Sequence, residues 1–258
     1  MIPKFEDKKE LFDYLIKNKS EIIDMKKSAI KHSDPFGSVS SEFAVKSIEY
    51  PNQDDISNGS IKRVIVANTY NWMDSHDDVH MKGVFTKSIN ENKNIWHLHD
   101  HLQQITAKVG LPISITERDL AWSELGINKM GGTTSLILYS DIKKNYNQLI
   151  FDQYLTKQIQ QHSVGMRYVN LFMAINDPSY KEEFAAWQQY SPMVANIEKA
   201  TELGYFFAVT EAKLIEVSAV LAGSNELTPT IEPSKFTQTE PNSTRKVDYL
   251  YLKNNFNL

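Results

Sequence analysis

The chain has 258 residues, 41% of them hydrophobic and 23% charged, and a net charge of -4. That length suits one sizeable domain with a proper core; interspersed charge gives no basic field to recommend nucleic acid and no Lys/Arg run to recommend a membrane surface. With no cysteine in the chain, disulfides, thiolate metal sites and cysteine catalysis are excluded, which fits a reducing compartment. The opening MIPKFEDKKE lacks the apolar core of a signal peptide, and no apolar run approaches the ~20 residues that span a bilayer, so synthesis in the cytosol is expected.

Residues 1–32 form an N-terminal helical segment: Leu11, Phe12, Leu15, Ile16, Ile22, Ile23 and Ile30 are spaced for one face of a docking helix over 8–31. After the breaker HSDPFGS, β-branched and aromatic residues predict strands at 41–50 and 61–70, joined through a long loop containing Asn-Gly. An acidic loop, NWMDSHDDVH, leads to a short helix over 83–90 and then to the strand NIWHLHDH. Two further strands, from KVGLPISITERDLAWSELG and GGTTSLILYS, are separated by a turn at 129–132. A helix over 146–161 runs into a strand, QHSVGMRYVNLF.

Residues 176–204 read as a helical insertion, followed by the strands YFFAVTEA and KLIEVSAVL. Composition then shifts to Ser, Thr, Pro, Asn and Glu, giving a disordered linker and tail over 226–258 that ends in the apolar VDYLYLKNNF. A main domain over 41–225 results. Strands outnumber helices without βαβ alternation, so the fold class is α+β or barrel-like.

Three of the seven histidines alternate in NIWHLHDH. In a strand, His97, His99 and His101 point to one face and Trp96, Leu98 and Asp100 to the other. In HSVGMRY the same period puts Ser163, Gly165 and Arg167 opposite the apolar row of Val164, Met166 and Tyr168. Gly165 beside Ser163 leaves room for close approach of a substrate backbone. Glu216 stands in the otherwise apolar KLIEVSAVL, where a buried carboxylate needs a hydrogen-bond donor or a cation, and an imidazole suits it. A hydroxyl, an imidazole with an ordinary pKa of ~6.5 and a carboxylate are the side chains of a serine-nucleophile triad.

In order and wording, HDDVHMKGVFTKSI leading into IWHLHDH, then HSVGMRY, then KLIEVSAVLAGSN resemble the prohead (capsid-maturation) serine proteases of tailed bacteriophages. The likeness reaches from about residue 61 to 225 and does not cover the N-terminal helix, the 176–204 segment or the tail. It implies a mostly antiparallel β-barrel flanked by helices, similar to herpesvirus assemblin. Its catalytic residues would fall on His99 (followed by Asp100), Ser163 and Glu216. The crowding of His99 by His97 and His101 departs from the family pattern. The family's substrates imply phage scaffold and major capsid protein as partners inside the procapsid in the host cytoplasm, with the chain's own termini as further targets and homo-oligomerisation open. No cofactor, nucleic acid or membrane is implied.

Two other readings stand beside this one. HLHDH is similar to the HxHxDH zinc signature of metallo-β-lactamase-like hydrolases, but one residue shorter, which moves the aspartate to the wrong face. A capsid-associated structural protein that kept the fold without the activity is the non-enzymatic alternative. Asp77, Asp78, Gly165, His97 and His101 are the candidates for shaping the substrate cleft, Asp77 and Asp78 from the loop ahead of Gly83.

Overall fold

The computed structural model describes residues 2–29, 56–91 and 94–231. The strand expected over 41–50 and the apolar end of the tail lie outside them. Eight strands carry the fold: β1 (Ser60–Thr69), β2 (Asp78–His80), β3 (Trp96–His99), β4 (Lys108–Ala121), β5 (Gly132–Lys143), β6 (Gln161–Ile175), β7 (Tyr205–Val220) and β8 (Thr230–Ile231). They form one mixed sheet in the order β2-β7-β3-β4-β5-β1-β8, with β6 on β7. Only β2 and β3 pair in parallel, both with β7; the other pairings are antiparallel.

YFFAVTEA and KLIEVSAVL, expected as two strands, are one continuous strand of 16 residues. That length lets β7 carry β2 beside residues 207–209 and β3 beside residues 216–219, with β6 along its other edge. The α+β class holds, but the sheet is not the closed barrel expected, because among the described residues β1 and β6 are not paired. Side chains bridge that gap: Thr228 Oγ1 donates to the His162 carbonyl at 2.7 Å, Asn225 Nδ2 to that of Thr69 at 2.7 Å, and β8 pairs with β1. Residues 226–231 therefore belong to the folded domain, past the boundary that composition placed at 226, with Leu227 and Thr228 buried.

The N-terminal helix is broken in two, α1 (Lys8–Lys17) and α2 (Lys19–Ser28). Asn18 leaves helical geometry and its Nδ2 caps the Tyr14 carbonyl at 2.7 Å. Asp7 caps the start, accepting from the amides of Lys9 and Glu10. Phe12, Leu15 and Ile22 from this pair enter the main core with Tyr205, Phe207 and Val209. Helix α3 (Thr86–Glu91) precedes β3, and α4 (Gln148–Leu155) buries Phe151 and Tyr154. The 176–204 segment folds as α5 (Lys181–Tyr190) and α6 (Ile197–Leu203), whose Trp187 and Ala200 pack on Phe206 and Ala208 of β7. Among the described residues no helix is long and apolar enough to cross a membrane.

Candidate active site

On the β6–β7 ladder Gly165 is opposite Glu216 and Ser163 is opposite Ser218. Residues opposite one another share a face, so these four lie together while Val164 and Val217 enter the core on the other side. Ile215 is an extra residue, a β-bulge between the Gly165–Glu216 and Met166–Leu214 pairs. The bulge resets the alternation of β7. Leu214 joins the core, and Glu216, two residues on, faces away from it.

Along the other edge of β7, Trp96, His97, Leu98 and His99 stand beside Glu216, Val217, Ser218 and Ala219. His97 and His99 therefore take the face opposite to Ser163 and Glu216. The strand ends at His99, and the next two residues are left-handed, Asp100 at φ 51° and His101 at φ 57°. Aspartate tolerates that region better than most residues. The Asp100 amide donates to the Ala219 carbonyl at 2.9 Å. This turn carries His101 back to Glu216, where His101 Nδ1 lies 2.5 Å from Glu216 Oε1. The His101 amide donates to Ser218 Oγ at 3.1 Å, and Ser218 Oγ donates to Glu216 Oε2 at 2.6 Å.

The shared face expected for His97, His99 and His101 fails at His101, because the strand stops two residues earlier than strict alternation assumed. His99 instead bonds Asp100, Nδ1 to Oδ2 at 2.8 Å, in a pair whose carboxylate is 60% exposed. The structure thus sets Ser163, Gly165 and Glu216 on one face, brings His101 to Glu216 and leaves His99 outside that contact. Ser163 is 7% exposed, and among the described residues its hydroxyl has no hydrogen-bond partner. Gly165 has a steric reason: a Cβ there would overlap the Glu216 carboxylate.

His97, expected to help shape the substrate cleft, is fully buried. Its Nδ1 lies 2.8 Å from Ser140 Oγ and its Nε2 3.1 Å from the Tyr154 hydroxyl, which lies 2.9 Å from His162 Nε2. His162 Nδ1 faces the Thr228 carbonyl at 3.0 Å. A carbonyl only accepts, so His162 carries its proton on Nδ1, Tyr154 donates to His162, and His97 donates to Tyr154. Burial, with the neighbouring His162, pulls the His97 pKa down to about 3; burial pulls that of His162 down to about 4, opposed by the Thr228 carbonyl. Both rings are neutral supports of the core.

Asp77 and Asp78 do not line a cleft with Ser163. Asp78 pairs with Phe207, nine positions before Glu216 on β7, roughly 30 Å away at strand rise. It is buried, 2.5 Å from Lys26 Nζ and 2.8 Å from the Tyr168 hydroxyl, while Asp77 accepts from the Tyr205 hydroxyl at 2.8 Å. An acidic loop beside a buried lysine from α2 became an internal anchor. Lys26 and its distant partner share no local pattern that sequence spacing would reveal.

A groove of about 930 Å³ does adjoin Glu216. Trp96, Leu98, Ile105, Val169 and Ile215 give it apolar walls, and Arg167 and Lys108 stand among its charged residues. Trp96 is 48% exposed and Ile105 94%. On the β6–β7 ladder the groove runs through Arg167 and Val169 to Glu216, and Ser163 is the next outward-facing position past Gly165.

No family model, curated protein or solved structure matches this chain. Among the described residues no group of three or more histidine or acidic side chains is placed to hold a metal. The three imidazoles of HLHDH diverge, to Ser140 and Tyr154, to Asp100 and to Glu216. Ser218 was the signal missed: it stands two positions from Glu216, on the same face of the same strand.

Proposed function

We propose that the protein is a serine endopeptidase of the prohead type, related in fold to herpesvirus assemblin, with Ser163 as nucleophile, His101 as general base and Glu216 as the orienting carboxylate. The observation that carries this reading is the 2.5 Å His101 Nδ1–Glu216 Oε1 bond on the face that Ser163 shares. An ionised carboxylate accepts only, so it holds the ring proton on Nδ1 and makes Nε2 the basic nitrogen. Nε2 takes the Ser163 proton as Oγ attacks the scissile carbonyl, Glu216 stabilises the imidazolium, and Nε2 returns the proton to the leaving amine. Water then hydrolyses the acyl-enzyme by the same relay. Catalytic hydrogen bonds are often long without substrate and tighten on binding, so the Ser163–His101 contact forms in the complex. The resemblance alone gave the base to His99; the geometry favours His101.

The groove supports an extended peptide as substrate, its apolar side chains set against Trp96, Leu98 and Ile105. Scaffold and major capsid protein, met inside the assembling procapsid, are the proposed substrates, and enclosure with many copies allows modest affinity. The competing reading, an inactive capsid-associated structural protein, is favoured by the Ser163 hydroxyl having no partner. Co-expression with the major capsid protein decides between them. Wild type and His99→Ala are expected to process it; Ser163→Ala and His101→Ala lose activity by roughly 10⁴–10⁶-fold. No processing by the wild type supports the structural reading, and sensitivity to a chelator would revive the zinc hydrolase.

A further inference from the structure

We infer that Ser218 is a positioning residue that locks the left-handed turn at Asp100 and His101 and so sets the imidazole on Glu216. This inference rests on the peptidase reading for its kinetic consequence and on the geometry alone for its structural one. Ser218 is fully buried, and its hydroxyl uses both of its capacities inside the site. It accepts the amide of His101, at 3.1 Å, and donates to Glu216 Oε2, at 2.6 Å. One hydroxyl thus ties the backbone of the histidine to the carboxylate oxygen that the ring does not use. The donated bond also fixes the carboxylate plane, which leaves Oε1 aimed at His101 Nδ1.

Two consecutive non-glycine residues with positive φ persist only where surrounding bonds over-determine them. Here the turn's own bond, from the Leu102 amide to the His99 carbonyl at 3.1 Å, is joined by holds on β7. The Asp100 amide has the Ala219 carbonyl, the His101 amide has Ser218 Oγ, and the His101 ring has Glu216. Removing the Ser218 hydroxyl strips the middle hold and half of the Glu216 anchorage together. His101 then samples orientations in which Nδ1 leaves Oε1 and Nε2 leaves the line to Ser163. Substrate binding in the groove past Trp96 and Ile105 does not pass through Ser218, which is absent from its walls.

The test is Ser218→Ala in the full chain, read by amide hydrogen exchange at His101, by the His101 Nδ1–H resonance, and by kcat and KM on a capsid-derived peptide. Exchange at the His101 amide accelerates about tenfold and the ring resonance broadens or disappears, the scale of one lost hydrogen bond. In the kinetics kcat falls by about tenfold or more while KM stays within about twofold, the pattern of lost transition-state geometry. Ser218→Thr, which keeps a hydroxyl, restores both readouts. If Ser218→Ala does not fold, Ser218→Cys, with a weaker donor of similar size, gives intermediate exchange and kcat. Unchanged His101 exchange and ring resonance in a folded Ser218→Ala chain overturn the inference. A wild-type chain that cleaves nothing overturns the peptidase reading instead, and the two spectroscopic readouts still decide the role of Ser218.

Discussion

Gly165 bears no side chain because the carboxylate of Glu216 lies over its Cα. The strand period correctly set Ser163 and Gly165 on one face, and the glycine did mark a close approach. The group that approaches, however, is a side chain of the neighbouring strand and not a substrate backbone. Gly165→Ala is expected to push Glu216 off His101, costing about 1–3 kcal/mol in stability, as other overpacked sites do, and lowering the proposed peptidase activity about tenfold. Thermal melts and peptide cleavage by the same preparation check this; full activity in the alanine variant would mean that Glu216 does not orient the base. Sequence also singled out Ser163 and Glu216, which the β6–β7 pairing sets on one face. It did not show that His101, and not His99, meets Glu216, because alternation fixes faces only while a strand lasts, and two left-handed residues end that rule after His99. The residue type of Asp100 was the one local hint.

Long elements with a strong apolar period were legible as elements, and their pairing was not. β7 reads as two strands because of the polar stretch around Glu211 and Lys213, yet its backbone runs unbroken and a bulge at Ile215 absorbs the change of phase. Likewise α1 and α2 read as one docking helix, and beside its apolar contacts α2 is anchored by a buried ion pair. Lys26 Nζ lies 2.5 Å from Asp78 Oδ1, 3.1 Å from the His76 carbonyl and 4.1 Å from the centre of the Phe207 ring. Removing one partner of a buried pair leaves an uncompensated charge and costs about 3–5 kcal/mol. Lys26→Met is therefore expected to destabilise the chain by that order and to expose the α1 and α2 amides to exchange before those of β6 and β7. A Lys26→Met chain that melts like the wild type would show that apolar packing by Phe12, Leu15 and Ile22 suffices to hold the helices.

For the whole molecule, composition and strand count gave the α+β class. That the sheet stays open between β1 and β6 was not legible, since the contacts across that gap come from Asn225 and Thr228, on either side of the point where composition reads as linker. The buried polar groups also set how stability responds to pH. Unfolded His97 and His162 take up protons below an ordinary pKa of ~6.5, whereas folded they stay neutral down to about 3 and about 4. Their contribution is present above pH ~6.5 and lost on acidification. Asp74 acts the other way: burial, with the charge of Asp78, lifts it to about 7, so it favours the fold at low pH and loses that contribution as pH rises from ~3.8 to about 7. Between pH ~4 and ~6.5 two protons oppose one, and these groups make stability rise by about 1.4 kcal/mol per pH unit. Asp74→Asn is expected to steepen that rise. Denaturant unfolding at half-unit pH steps checks both, and stability that falls over the same interval would contradict the buried, neutral state of the two histidines.

Labelling with a fluorophosphonate, followed by mapping of the modified serine by mass spectrometry, addresses the Ser163–His101–Glu216 site without needing its substrate. Covalent modification is expected at Ser163 in the wild type and in His99→Ala, and at a rate lower by about 10²-fold or more in His101→Ala, since the nucleophile depends on its base. Labelling of Ser163 that survives His101→Ala and vanishes in His99→Ala, or no labelling of Ser163 at all, would contradict it.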